Sequence, residues 1–239
     1  MSGSVPSPVS APPFLRITEI FHSLQGESTW AGLPCVFVRL TGCPLRCVWC
    51  DTEYAFHGGT RMTFAEIEAA VAAFGTRLVE VTGGEPLAHP GAYDLVRRLL
   101  DAGYTVLVET SGAFDVAPLD PRAVKVMDLK CPGSGESART LWGNLDHLTR
   151  HDELKFVVAD LEDLDWAEAR VREHGLDTRV REGRLAALLV SPVWDRVGHD
   201  PEGSPFLRAL SERILASGLP FRLQLQLHKA VWGPSAKGV

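Results

Sequence analysis

TGCPLRCVWCDTEYAF, residues 41–56, packs three cysteines into eight positions: Cys43, Cys47 and Cys50, in C-x3-C-x2-C spacing. Three is an awkward number of thiols. A disulfide takes two, and a closed zinc site or a fully protein-ligated iron–sulfur cube takes four. Zinc would need a distant fourth ligand, for which His57 and His89 are the candidates, and no second C-x2-C or H-x3-H pair supports it. Redox exchange needs only the C-x2-C half. A [4Fe–4S] cube on three thiolates instead leaves one iron open to a small chelating molecule, and soft thiolates suit such a cluster. The spacing favours the cluster and leaves a zinc-stabilised binding module as the alternative.

Outward from this loop the chain alternates short apolar runs with helix-period segments. FLRITEIF (14–21) and CVFVRL (35–40) read as strands around the loop HSLQGESTWAGLP. TFAEIEAAVAAFG (63–75) reads as a helix, opened by Thr63 and Glu66 in capping-box spacing and stopped at Gly75. LVEVTGG (78–84) is a strand entering a glycine turn, GAYDLVRRLLDAG (91–103) a helix, and TVLVET (105–110) a strand. AVKVMDLK (123–130), LKFVVA (154–159), LAALLVSPVW (185–194) and FRLQLQL (221–227) continue the strands, with helices at 163–174 and 205–217 between the last three.

Near-continuous apolar strands alternating with helices predict an α/β fold with a parallel sheet under helices. A closed eight-unit barrel takes about 250 residues. Six or seven strands in 239 residues predict an incomplete, open parallel βα barrel. Functional residues of such folds collect at the carboxyl ends of the strands. TGC, TGGEP, ETSG, DLKCPGSG and SPVW all fall there.

Composition fits a single globular domain over 14–239: 45% hydrophobic and 23% charged residues. A net charge of -6 argues against broad nucleic-acid or anionic-membrane binding. No run approaches the roughly 18 apolar residues of a membrane span. MSGSVPSPVSAPP (1–13) lacks the basic start and apolar core of a signal peptide and reads as a disordered leader. Five cysteines, three of them clustered, fit a reducing, cytoplasmic setting.

The three-cysteine loop after a strand, with Trp49 just before the last cysteine and TGGEP (82–86) ending the next strand, resembles the radical S-adenosylmethionine (SAM) superfamily. Residues 19–52, EIFHSLQGESTWAGLPCVFVRLTGCPLRCVWCDT, narrow the likeness to the 7-carboxy-7-deazaguanine synthase (QueE) family. It extends through TGGEPL, ETSG, DLKCPGSG, SPVW and QLQLHKAVWG, nearly all of the chain after the leader. The resemblance implies a radical SAM carbon–nitrogen lyase. SAM would chelate the open iron and be cleaved to a 5′-deoxyadenosyl radical. That radical would take a hydrogen atom from 6-carboxy-5,6,7,8-tetrahydropterin. Ring contraction with loss of ammonia would give 7-carboxy-7-deazaguanine, for 7-deazapurine and queuosine biosynthesis. It also implies regenerated SAM, a Mg2+ ion, an electron donor such as flavodoxin or ferredoxin, and a homodimer. Activating enzymes for glycyl-radical proteins share the CxxxCxxC loop, but LQGE and the C-terminal HK segment argue against them.

By this resemblance Cys43, Cys47 and Cys50 hold the cluster and Thr52 offers magnesium one hard oxygen. Trp49, Cys50 and Asp51 lie beside SAM, and Gly84 and Glu85 take its amino group. The turn Asp128, Leu129, Lys130 and the segment Ser191, Pro192, Val193, Trp194 supply its remaining contacts. Leu24, Gln25 and Gly26 form a substrate loop, where an amide and a backbone edge can pair with a pterin. Arg39 suits a carboxylate, Thr82 lies on the substrate side, and Val239 reaches the site from the C-terminus. Glu109 and His228 are candidates for polar pterin contacts or proton transfer, and Lys229 either meets the same anion as Arg39 or is solvated. Cys35 reads as a small buried residue. Cys131 stands where many relatives carry proline.

Overall fold

The computed structural model describes residues 14–198 and 203–239, so the leader predicted at 1–13 lies outside the described residues. Among the described residues nine strands form one sheet, in the order β3-β1-β2-β4-β5-β6-β7-β8-β9. They are β1 (Phe14–Leu24), β2 (Pro34–Leu40), β3 (Thr60–Thr63), β4 (Leu78–Gly83), β5 (Thr105–Thr110), β6 (Val124–Asp128), β7 (Glu153–Val158), β8 (Ala187–Pro192) and β9 (Phe221–Leu223). The helices are α1 (Phe64–Ala72), α2 (Pro90–Asp101), α3 (Leu161–Glu173), α4 (Leu176–Arg181), α5 (Pro205–Ser217) and α6 (Leu227–Trp232). Strand β2 and strands β4 to β9 run parallel. The sheet ends at β3 and β9 without closing, which is the incomplete barrel the strand count predicts.

The structure departs from the sequence reading in several places. Strand β1 is antiparallel to both β2 and β3, so the sheet is mixed. The link from β1 to β2 is too short for a crossover, which leaves only an antiparallel return. The run FRLQLQL pairs only through Leu223, after which the chain turns into α6. Strand β3 is four polar-flanked residues, too short to stand out in sequence. Helix α1 begins as predicted, with the Thr63 side chain and Glu66 closing a reciprocal capping box.

The parallel strands alternate strictly. Val79, Val81, Val106, Val108, Leu154, Phe156, Leu188 and Val190 face outward and form one core with Ile67, Val71, Leu95, Leu99, Leu164 and Leu210 of the covering helices. Inward, register aligns Arg39 with Thr82 and Asp128 with Lys155, and places Glu109 beside Val126. A second, smaller core of Cys35, Phe37, Leu78, Leu107 and Val124 fills the bottom of the interior, with Phe21 and Trp30 packed on it. Among the described residues no helix is long and apolar enough to cross a membrane.

Candidate active site

A cavity of about 500 Å³ occupies the upper interior. That volume lies within the range of small-molecule sites. The cysteine loop forms one wall. Gly42 donates its N–H to the Ala55 carbonyl (2.7 Å) and accepts from the Glu85 N–H (2.9 Å). The Arg46 guanidinium turns back onto the loop, donating to the carbonyls of Cys43 (2.7 Å) and Leu45 (2.6 Å) and lying 4.3 Å above the Phe56 ring. Val48 N–H reaches the Ser134 carbonyl at 3.0 Å. A β-carbon on Gly84 would stand 2.5 Å from both Cys43 Cβ and the Gly42 oxygen, so glycine alone lets β4 pass this close.

Cys43, Cys47 and Cys50 all line the cavity as free thiols. Burial raises all three, and Cys47 is pushed up to about 11 despite the Lys130 ammonium nearby. Among the described residues no three His, Cys, Asp or Glu side chains converge tightly enough to hold a single ion. Three thiols at separate points on one wall fit a cube, where each meets a different iron, and do not fit one zinc ion. The remaining wall fits a polar cofactor as well. Asp128 Oδ1 is buried without a partner, while its Oδ2 meets Lys130 (2.8 Å).

The SAM-side expectations divide. Trp49, Cys50, Asp51, Gly84, Asp128, Lys130, Val193 and Trp194 line the cavity. Glu85, Leu129, Ser191 and Pro192 do not. Glu85 is fully buried, and its carboxylate accepts from Leu87 N–H (3.0 Å), Thr110 Oγ1 (2.8 Å), Ser111 N–H (2.7 Å) and Ser111 Oγ (2.5 Å). It ties the end of β4 to the end of β5 and has no oxygen left to offer a ligand. Leu129 belongs to the outer core, and Ser191 and Pro192 are buried strand residues.

On the other side, Leu24, Gln25, Gly26, Arg39, Thr52, Thr82, Glu109, His228 and Val239 all line the cavity. Gln25 is a loop clamp: its Nε2 donates to Glu80, and its Oε1 accepts the Glu27 N–H at 3.0 Å. A β-carbon on Gly26 would lie 2.1 Å from His228 Nδ1, so the loop and α6 touch through glycine. Burial lowers His228 below the usual histidine range. Arg39 Nε holds Glu19 (2.8 Å), whose carboxylate also accepts from Tyr54 Oη (2.8 Å). Lys229 is not solvated: it is buried, lines the cavity and pairs with Asp51 at 2.5 Å. Asp51 in turn accepts from Thr52 Oγ1 at 2.8 Å.

Sequence reasoning missed the centre of this half. Lys155 is 3% exposed, and its ammonium meets Glu27 (2.6 Å) and Glu109, with Asp128 at 3.9 Å. Burial alone would raise Glu109, but the adjoining ammonium holds it below the ordinary carboxylate range. Those anions likewise hold Lys155 well above the usual lysine value against its burial. Gln226 Nε2 donates to Glu27 at 2.8 Å, joining loop 25–33 to the C-terminal segment. The signal was the parity of LKFVV, where a lysine between apolar neighbours points away from the helices.

Comparison with known proteins agrees with this geometry. The Radical SAM superfamily model matches residues 37–128. The 7-carboxy-7-deazaguanine synthase of Koribacter versatilis is 43% identical over 94% of this chain and 100% of its own length. This chain belongs to the 7-carboxy-7-deazaguanine synthase family. The Chlorobaculum tepidum synthase is 41% identical, covering 94% of this chain and 97% of the relative. The crystal structure of QueE from Escherichia coli superposes with a TM-score of 0.69 at 23% identity, covering 90% of this chain and 95% of that one, and so shares the fold. As a radical SAM lyase of this family the protein takes a [4Fe–4S] cluster and SAM as cofactors. The zinc-module alternative falls with that membership, and the activase alternative falls with the named relatives.

Proposed function

We propose that this enzyme converts 6-carboxy-5,6,7,8-tetrahydropterin to 7-carboxy-7-deazaguanine with loss of ammonia, serving 7-deazapurine and queuosine biosynthesis in the cytoplasm. The observation that carries the reading is the division of one cavity into a thiol wall and a charged wall, in a chain that matches a synthase over 94% of its length. When bound, the cluster and SAM supply the one-electron chemistry that removes a hydrogen atom from the pterin.

The remaining roles fall to the chain. Arg39, with Nε committed to Glu19, meets the substrate carboxylate through the outer edge of its guanidinium. Glu109, held ionised by Lys155, accepts pterin N–H groups. His228, kept neutral by burial, is able to take a proton at a ring nitrogen. Thr82 Oγ1 lies 3.5 Å from Glu109 and orients it. Thr52 Oγ1 is the hard oxygen that would hold a Mg2+ ion, which would supply positive charge beside the substrate. The C-terminal tail closes the cavity, with Lys237 Nζ 4.4 Å from the Tyr54 ring centre and Val239 on the wall. We assign the reductant to a flavodoxin or ferredoxin. The homodimer reading is supported by exposed Leu223, Leu225, Val231 and Trp232 beside the open β9 edge.

The test is anaerobic reconstitution followed by incubation with reductant, Mg2+, SAM and the carboxytetrahydropterin, with products read by mass spectrometry. The reading expects 7-carboxy-7-deazaguanine, lost in Cys47→Ala. Slow SAM cleavage with intact pterin would overturn the substrate assignment.

A further inference from the structure

Glu80 sits on the inner face of β4, one layer below Thr82, and lines the cavity floor at 4% exposure. Its register partner on β5 is Leu107, so Glu109 stands one layer above it on the neighbouring strand. The two carboxyl groups are within hydrogen-bonding reach. Glu80 Oε2 also accepts from Gln25 Nε2.

The charge inventory around this pair is short. Lys155 is shared by Glu27 and Glu109, with Asp128 at 3.9 Å. Arg39 is held by Glu19 and acts on Glu109 from a distance, as does the His228 ring, and neither pairs with Glu80. The Cys35 thiol adjoins Glu80 and brings no cation. Among the described residues no ion pair reaches Glu80. An ionised Glu80 would therefore be a further anion on one ammonium, away from water and facing another carboxylate.

We propose that Glu80 is a positioning residue for Glu109: it remains a neutral acid, donates its O–H to the Glu109 carboxylate and accepts the Gln25 amide on its other oxygen. One buried proton then fixes two parts of the site, the substrate-facing carboxylate and the loop bearing Gln25 and Glu27. Burial first, and the Glu109 charge second, push Glu80 well above the usual carboxylate range, while Lys155 holds Glu109 below it. Two like groups driven apart by their surroundings is the pattern that separates an acid from a base. The proposal rests on the reading of Glu109 as substrate-facing only for its kinetic consequences.

Infrared spectra of the full-length protein at neutral pH, in H2O and D2O, test the protonation state without turnover. A protonated-carboxyl C=O band that shifts on deuteration and disappears in Glu80→Gln is expected. Kinetics test the positioning. Glu80→Gln keeps an oxygen for Gln25 and an N–H for Glu109, so it should retain most of kcat/KM. Glu80→Ala should lose about 10- to 100-fold, the effect of removing an outer hydrogen-bond partner. It should also move the acid limb of the pH–rate profile to higher pH, because Glu109 loses a donor to its charged form. If Glu80 is ionised, the band is absent and both variants move that limb to lower pH, since a neighbouring negative charge is gone. That result overturns the proposal. A present band with turnover lost in Glu80→Gln also overturns it, because the proton would then be transferred. If the pterin is not the substrate, wild-type turnover fails while the band still decides Glu80.

Discussion

Along β7, Leu154, Phe156 and Val158 face the helices, while Glu153, Lys155 and Val157 face the barrel interior. The same division runs through β4, with Val79 and Val81 against Glu80 and Thr82, and through β5, with Val106 and Val108 against Leu107 and Glu109. Successive strand residues point to opposite faces, so one backbone serves two different environments. The outer face holds by apolar burial, which is non-directional and tolerant of the side chain's exact identity. The inner face holds charges away from water, where each depends on a specific partner. Substitutions on the two faces should therefore fail in different ways.

The largest effect belongs to the inner wall that carries no net fold: Cys47→Ala should abolish turnover and the visible absorption of the reconstituted cluster. The thermal melt of the cluster-free protein should stay where it was, because Cys47 belongs to neither core. A lost melt would place the cysteine loop in the folding unit instead. Next is Lys155→Met, which strips Glu27 and Glu109 of their shared ammonium. Breaking a buried pair by removing one partner destabilises by about 3–5 kcal/mol. The sign of its pH dependence should also reverse. In the parent, Glu109 is held below its unfolded value of about 4.3, so its contribution is present above that pH and lost as pH falls. In Lys155→Met burial dominates and raises Glu109, so stability is present at low pH and lost as pH rises. Urea midpoints across pH check this, and equal slopes for both proteins would sink it.

On the outer face, Leu154→Ala leaves a void under α3 and should lower stability by about 2–5 kcal/mol, with KM for the pterin unchanged in the folded fraction. A raised KM would mean that the two faces are mechanically coupled through β7.

How much of this was legible follows from which interactions are local. The cysteine spacing and the α1 capping box each act within a few residues, and the structure uses both. Alternation in LVEVTG and TVLVET was equally available, yet an apolar-run reading hid Glu80 and Lys155. Along β4, β5 and β7 the polar residues mark the interior, and the inward parity of LKFVV gives Lys155 its place. Pairings were not legible, because chain separation says nothing about which charges meet. Lys155 finds Glu27 across 128 positions and Gln226 finds Glu27 across 199. Gln25 and Glu85 show the converse: each has the right residue type for a ligand, and each is consumed by neighbours.

The smallest effect should come from a charge pair with no cavity around it. Asp120 is drawn down to about 2 chiefly by hydrogen bonds from Arg122, whose guanidinium also meets Asp101 at 2.7 Å. The sign matches that of Glu109 in the parent: the contribution is present above the unfolded carboxylate value and lost as pH falls toward about 2. Its size should not match, because Arg122 is half exposed. Solvent and salt screen such a pair, so its contribution is small. Asp120→Asn should therefore shift the urea midpoint slightly at neutral pH, less at high salt, and leave turnover alone. If it instead rivals Lys155→Met, burial is not what separates the two faces of the sheet, and the contrast drawn from β7 fails with it.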